Sequence, residues 1–194
     1  MRATCLIAAA AVLAAGCSGE RIFTTDEPRV TMPTTPTSTP ALPPPAGPHL
    51  VDAFDYVAHP QGAAVYYFTS PSGRWACAIL PRDRAGCQST AGQAIGVTGA
   101  PDSVLDAAGE ETAPNAIVVD RDGDPRFVAV EPDEFVAEDA KVLPFNRILA
   151  VAGFRCNIQE ETGVSCASER TGKGFSFAAD GFVPQYTEVP PGAP

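Results

Sequence analysis

Trp75-Ala76-Cys77-Ala78-Ile79 and Phe154-Arg155-Cys156-Asn157-Ile158 share one pattern, an aromatic, a cysteine and an isoleucine at alternate positions. Side chains at alternate positions of a β-strand project from one face, so each segment presents its three apolar groups together. In both segments a second cysteine follows at a separation of 10, within Gly86-Cys87-Gln88-Ser89 and Ser165-Cys166-Ala167-Ser168. A chain that reverses between the two cysteines brings the second opposite the first. The repeat therefore predicts two β-hairpins, each closed by a cross-strand disulfide.

Four cysteines allow three pairings, and the repeat favours Cys77 with Cys87 and Cys156 with Cys166. Zinc sites place their paired cysteines about two to four residues apart, which this spacing does not match, and a redox-active pair is also tighter. Bridges suit an exported protein, because they persist in oxidising compartments.

Working outward, apolar and β-branched runs over 64–69, 74–80, 85–89, 115–119, 126–130, 148–158, 164–168 and 174–178 predict further strands. Ser70-Pro71-Ser72-Gly73 has the residues a type I turn prefers, with Pro second and Gly fourth. Asp120-Arg121-Asp122-Gly123-Asp124-Pro125 reads as the turn of another hairpin. Short helices are expected over 101–108 and 132–140, with 90–114 rich in loops. The predicted class is all-β: a small sandwich or half-open barrel with two disulfide-stapled hairpins in pseudo-repeat, preceded by a disordered N-terminal tether.

The first residues carry an address. Met1-Arg2 is a short positive start, and Cys5 to Ala15 is uncharged and mostly apolar. That is the length of a signal-peptide core and short of the roughly 20 residues that span a membrane. Leu13-Ala14-Ala15-Gly16-Cys17 resembles a bacterial lipobox, in which small residues precede the cut and the cysteine thiol takes the lipid. The expected organisation is a signal peptide at 1–16, a lipidated Pro/Thr-rich tether at 17–49, one β-rich extracytoplasmic domain at 50–189 and a disordered tail at 190–194. Eight prolines lie between Pro28 and Pro48, with threonines among them. Such a segment buries too little surface to offset its conformational entropy and tends to polyproline II.

The formal net charge is −10, and cleavage after Gly16 removes only Arg2 among the charged groups. This balance, with no basic patch, argues against nucleic acid as a partner. The expected partners are the membrane, through the lipid on Cys17, and an envelope protein or wall component. The expected localisation is the outer face of the cell membrane.

Phe68-Thr69-Ser70-Pro71-Ser72-Gly73-Arg74-Trp75-Ala76-Cys77 resembles the F-x-SPSG-x-x-x-C signature of an uncharacterised actinobacterial, mycobacterial-type family of exported proteins and lipoproteins. Leu143-Pro144-Phe145, Phe154-Arg155-Cys156, Gly163-Val164-Ser165-Cys166 and Gly172-Lys173-Gly174-Phe175 resemble its second half. The family carries Asn-Ile where this chain has Arg74-Trp75, and often His at the position of Lys173. The resemblance implies the address and the fold, and it transfers no catalytic residue.

No catalytic constellation stands out. Of the two histidines, His49 falls in the tether and His59 precedes Pro60 at the domain edge, and no G-x-S-x-G elbow accompanies them. Gly172-Lys173-Gly174 lacks the offsets of a phosphate loop. Asp120, Asp122 and Asp124, with Glu131 at the twelfth position, copy the carboxylate spacing of a calcium loop. Pro125 stands where that loop needs a glycine, so a solvated turn is expected and no metal or other cofactor. Paired carboxylates at Glu110-Glu111, Asp133-Glu134 and Glu160-Glu161 leave a carboxylate-dependent envelope hydrolase as the alternative to a non-enzymatic binding module.

Overall fold

The computed structural model describes residues 47–194. The expected signal peptide, Cys17 and the tether up to residue 46 lie outside the described residues. One-turn 3-10 helices at Gly47–His49, Ala53–Asp55 and Pro60–Gly62 surround β1 (Val57–Ala58). The chain then forms β2 (Val65–Thr69), β3 (Trp75–Leu80), β4 (Arg84–Ser89), β5 (Val104–Leu105), β6 (Glu111–Thr112), β7 (Ala116–Asp120) and β8 (Arg126–Val128). After β9 (Lys141–Val142) come β10 (Ile148–Val151), β11 (Phe154–Gln159), β12 (Gly163–Ser168), β13 (Gly174–Ala178) and β14 (Gly181–Val183).

These strands make an all-β sandwich. The first sheet runs β1-β2-β3-β4-β7-β8, with β9 joined parallel to β2, and the second runs β10-β11-β12-β13-β14. β5 and β6 form a separate hairpin, and neither large sheet closes into a barrel. The pseudo-repeat is visible in the registers. Phe68, Cys77, Cys87 and Ile117 lie side by side across the first sheet. Leu149, Cys156, Cys166 and Phe175 do the same across the second. All eight side chains are fully buried and belong to one core between the sheets. Trp75 meets Phe177 across that core edge-on at 5.0 Å, and Phe127 meets Phe182 at 4.7 Å. Both disulfides are present as the repeat predicts, with Cα separations of 4.0 and 4.1 Å.

The two outer faces differ. The first sheet turns Tyr67, Ala78 and Val118 outward, and residues 131–140 cover them with Phe135. Phe135 sits where a β-carbon on Gly86 would be, 2.7 Å from its Cζ, so only glycine fits under the ring. Gln88 clamps the covering segment: its amide nitrogen donates to Pro132 O, and its amide oxygen accepts from Phe135 N at 2.8 Å. The second sheet's outer face is polar and is treated below.

Several expectations need correction. Residues 132–140 are not helical: three successive turns close on Glu131, Asp133 and Ala137 carbonyls, because the Gln88 clamp and the Phe135 plug hold the backbone against the sheet. Nor are residues 101–108. There β5 ends in a turn in which Asp106 Oδ1 accepts from Ala108 N and Glu110 N, the local competition by which Asp opposes helix. The run 148–158 is two strands, reversed at Ala152-Gly153 with φ of 55° and 85°, which suits the primed turn of a tight hairpin. His49, assigned to the tether, is buried with Nδ1 3.1 Å from Asn146 O, so the folded unit reaches back at least to Gly47.

Removing the second bridge by Cys156→Ser with Cys166→Ser is expected to lower stability by about 2–4 kcal/mol. Urea unfolding measures it, and an unchanged midpoint contradicts a stabilising role for the bridge.

Candidate functional site

A concavity of about 690 Å³ opens beside the free edge of the first sheet. Its walls are the β5–β6 hairpin, β8 and the start of the segment that covers the sheet. Asn115 shapes the rim, donating to Val130 O at 2.8 Å and accepting from Val130 N at 2.9 Å, which prolongs pairing beyond β8. The charged lining includes Arg84, Arg126, Asp106, Glu131 and Glu134. Arg84 Nη2 stands 2.6 Å from Glu134 Oε1, and Arg126 pairs with Asp120. Burial pushes the Glu134 carboxyl above its usual range; Arg84 opposes this, and Asp83 and Glu131 add to it. The cleft is thus open, polar and largely charge-compensated, with alanines and valines between the charges.

The calcium-like loop is accounted for by salt bridges. Besides the Asp120 pair, Asp122 meets Arg170 at 2.8 Å and Asp124 meets Lys173 at 2.9 Å. Ser168 Oγ donates to Arg121 O at 2.7 Å. Asp122 and Asp124 therefore tie the β7–β8 turn of one sheet to the β12–β13 turn of the other, while Asp120 pairs within its own hairpin. Glu131 lines the cleft instead of joining them. Among the described residues no three His, Cys, Asp or Glu side chains converge as metal ligands would. Glu110 and Glu111 are exposed on the β6 side, and Glu160 and Glu161 line a separate groove. His59 is exposed at the turn before Pro60.

A second surface was not apparent in the sequence. Residues 47–56 run beside 141–148, tied by Val51 N donating to Ile148 O, by Tyr56 Oη to Val142 O and by Lys141 with Asp55 at 2.8 Å. These two segments expose Leu50, Phe54, Val142 and Phe145, with Phe54 86 % exposed. Phe54 follows Asp52, whose carboxylate caps the Ala53–Asp55 turn and leaves the ring outward. Hydrophobicity alone could not flag it, because the sequence shows an apolar residue and not its direction. Among the described residues no helix is long and apolar enough to cross a membrane. Comparison with protein-family models, curated proteins and solved structures finds no match to the chain.

A carboxyl whose folded-state pKa is raised contributes stability below its unfolded pKa and loses that contribution as pH rises through the folded value. Glu134→Gln is therefore expected to gain stability relative to the parent between about pH 4 and about pH 7. Urea midpoints of both proteins across that range test it. A relative loss over the range means that the Arg84 pair outweighs burial.

Proposed function

We propose that the chain is a cell-envelope lipoprotein, a member of the actinobacterial family it resembles, held on the outer face of the membrane by lipid on Cys17. Its sandwich serves there as a non-enzymatic binding module for another envelope protein. The observation that carries the binding reading is the exposure of Leu50, Phe54, Val142 and Phe145 along two segments that hydrogen-bond to each other. Large exposed apolar side chains grouped on one surface mark contact sites more often than solvated surface. A protein partner suits them better than a wall glycan, which needs hydrogen-bonding side chains around the aromatic face. This surface adjoins Gly47, so the membrane tether would enter the domain beside it.

The alternative, a carboxylate-dependent hydrolase, draws on Glu134 in the cleft. A general acid must hold its proton at working pH. Glu134 is raised by burial but lies against the Arg84 guanidinium, which favours the ionised form. The binding reading is the one we adopt.

Cys17→Ala should abolish incorporation of labelled palmitate and leave the precursor uncleaved at Gly16-Cys17; a variant processed and membrane-anchored like the parent defeats the lipoprotein reading. Phe54→Ser should change stability by no more than about 0.5 kcal/mol, as is usual for an exposed position. A photo-reactive residue placed at 54 should cross-link an envelope protein, and Val142→Ser should remove that product. Equal cross-linking from position 54 with and without Val142→Ser argues against the surface.

A further inference from the structure

The second sheet covers its outer face differently from the first. That face carries Arg155, Asn157 and Gln159 on β11, Ser165 on β12 and Ser176 on β13, all buried. Side chains of this kind are well solvated when exposed, so the face needs no cover for its own sake. Residues 184–189 nonetheless lie over it, and the contacts are mainly to their backbone. Ser176 Oγ donates to Gln185 O at 2.8 Å. Asn157 Nδ2 donates to Thr187 O at 2.9 Å, and Gln159 Nε2 reaches Thr187 O at 3.3 Å and Glu188 O at 3.2 Å. The donors are held in place by one another: Gln159 Nε2 also donates to Asn157 Oδ1 at 3.0 Å, and Ser165 and Ser176 share a hydrogen bond at 2.7 Å.

Hydrogen bonds to main-chain carbonyls read an extended backbone and tolerate many sequences. Side-chain contacts add selectivity, one of them between Ser176 Oγ and Thr187 Oγ1 at 2.8 Å. Tyr186 is buried, with its hydroxyl accepting from Asn157 Nδ2 at 2.8 Å, and Val189 is buried as well. Arg155 pairs with Glu169 at 3.1 Å and faces Glu188 at 3.5 Å. Just beyond, a groove of about 430 Å³ carries Glu160 and Glu161.

The contrast with the first sheet decides how tightly each cover is held. Lifting Phe135 would open an apolar core, whereas lifting 184–189 returns mainly polar groups to water, which replaces the lost hydrogen bonds, with Tyr186 and Val189 the apolar side chains it exposes. We propose that the outer face of the second sheet is a peptide-reading surface, on which residues 184–189 are a displaceable occupant. Its ligand is an extended segment of a partner protein. That segment places an aromatic residue at the Tyr186 position, an acidic residue two positions later against Arg155 and a basic residue beyond, facing Glu160 and Glu161. The site is distinct from the Phe54 surface and stands without it.

The test uses the full chain carrying Tyr186→Ala with Val189→Ala, which loosens the cover and leaves the inter-sheet core intact. The probe is a fluorescent synthetic peptide of residues 183–190, followed by anisotropy. Saturable binding at least ten-fold tighter than to the parent is expected, and it should be lost on adding Ser176→Ala and Asn157→Ala. No binding to the folded variant, or equal binding of a scrambled peptide, overturns the proposal. So does a parent dimer built by exchange of these segments, which would make the face a self-association site. Hydrogen exchange in the unaltered protein gives an independent reading should the variant fail to fold. The side-chain amide protons of Asn157, which the cover shields, should exchange at least a hundred-fold faster than the backbone amide of Cys166, and equal rates overturn the proposal.

Discussion

Two rows of four side chains face each other between the sheets, and each has a disulfide at its centre. Phe68, Cys77, Cys87 and Ile117 form one, and Leu149, Cys156, Cys166 and Phe175 the other. A slip of one residue in either stapled hairpin would turn its whole apolar set away from the core. The bridge between directly opposed positions forbids that slip. With register fixed on β3–β4 and on β11–β12, the aromatics at Trp75 and Phe154 face inward, and the remaining strands extend each sheet by ordinary pairing. The clamps at the periphery depend on this arrangement, since Asp122–Arg170 and Asp124–Lys173 connect turns belonging to different sheets.

The same registers dictate what the outer faces do. Positions between the core residues point outward: Ala78 and Gly86 in the first sheet, Asn157 and Ser165 in the second. The small apolar pair admits a phenylalanine plug, so the covering segment becomes part of the core of that half. The polar pair instead presents donors to a backbone. Equivalent halves thus acquire a permanently closed face and a hydrogen-bonding one.

Much of this was legible in the sequence, because two residue types behave simply. Cysteines at equal spacing with equal neighbours gave the hairpins and their pairing, and Ser70-Pro71-Ser72-Gly73 turns as its composition suggests, with Gly73 N donating to Ser70 O at 2.8 Å. The failures share a cause as well. Residues 132–140 look helical by local preference, yet distant Gln88 and Gly86 determine their path. The turn at Ala152-Gly153 uses an alanine at positive φ, which its neighbours enforce and its own preference opposes. Phe54 resembles a core residue until the cap at Asp52 fixes its direction. The cleft between β5–β6 and β8 gathers side chains from Arg84 to Glu134 across several turns, and no local pattern announces it.

The central claim is that the two stapled rows form one core and not two independent hairpins. A double-mutant cycle measures this directly, using urea unfolding of the parent, of each variant with one bridge replaced by serines, and of the variant lacking both. Each bridge closes its own loop in the unfolded chain, so the unfolded-state contributions should add. Coupling between the bridges then reports packing in the folded state. A shared core predicts a coupling energy of about 0.5–3 kcal/mol. Losses that add to within about 0.3 kcal/mol, as they do for distant and independent sites, would contradict it.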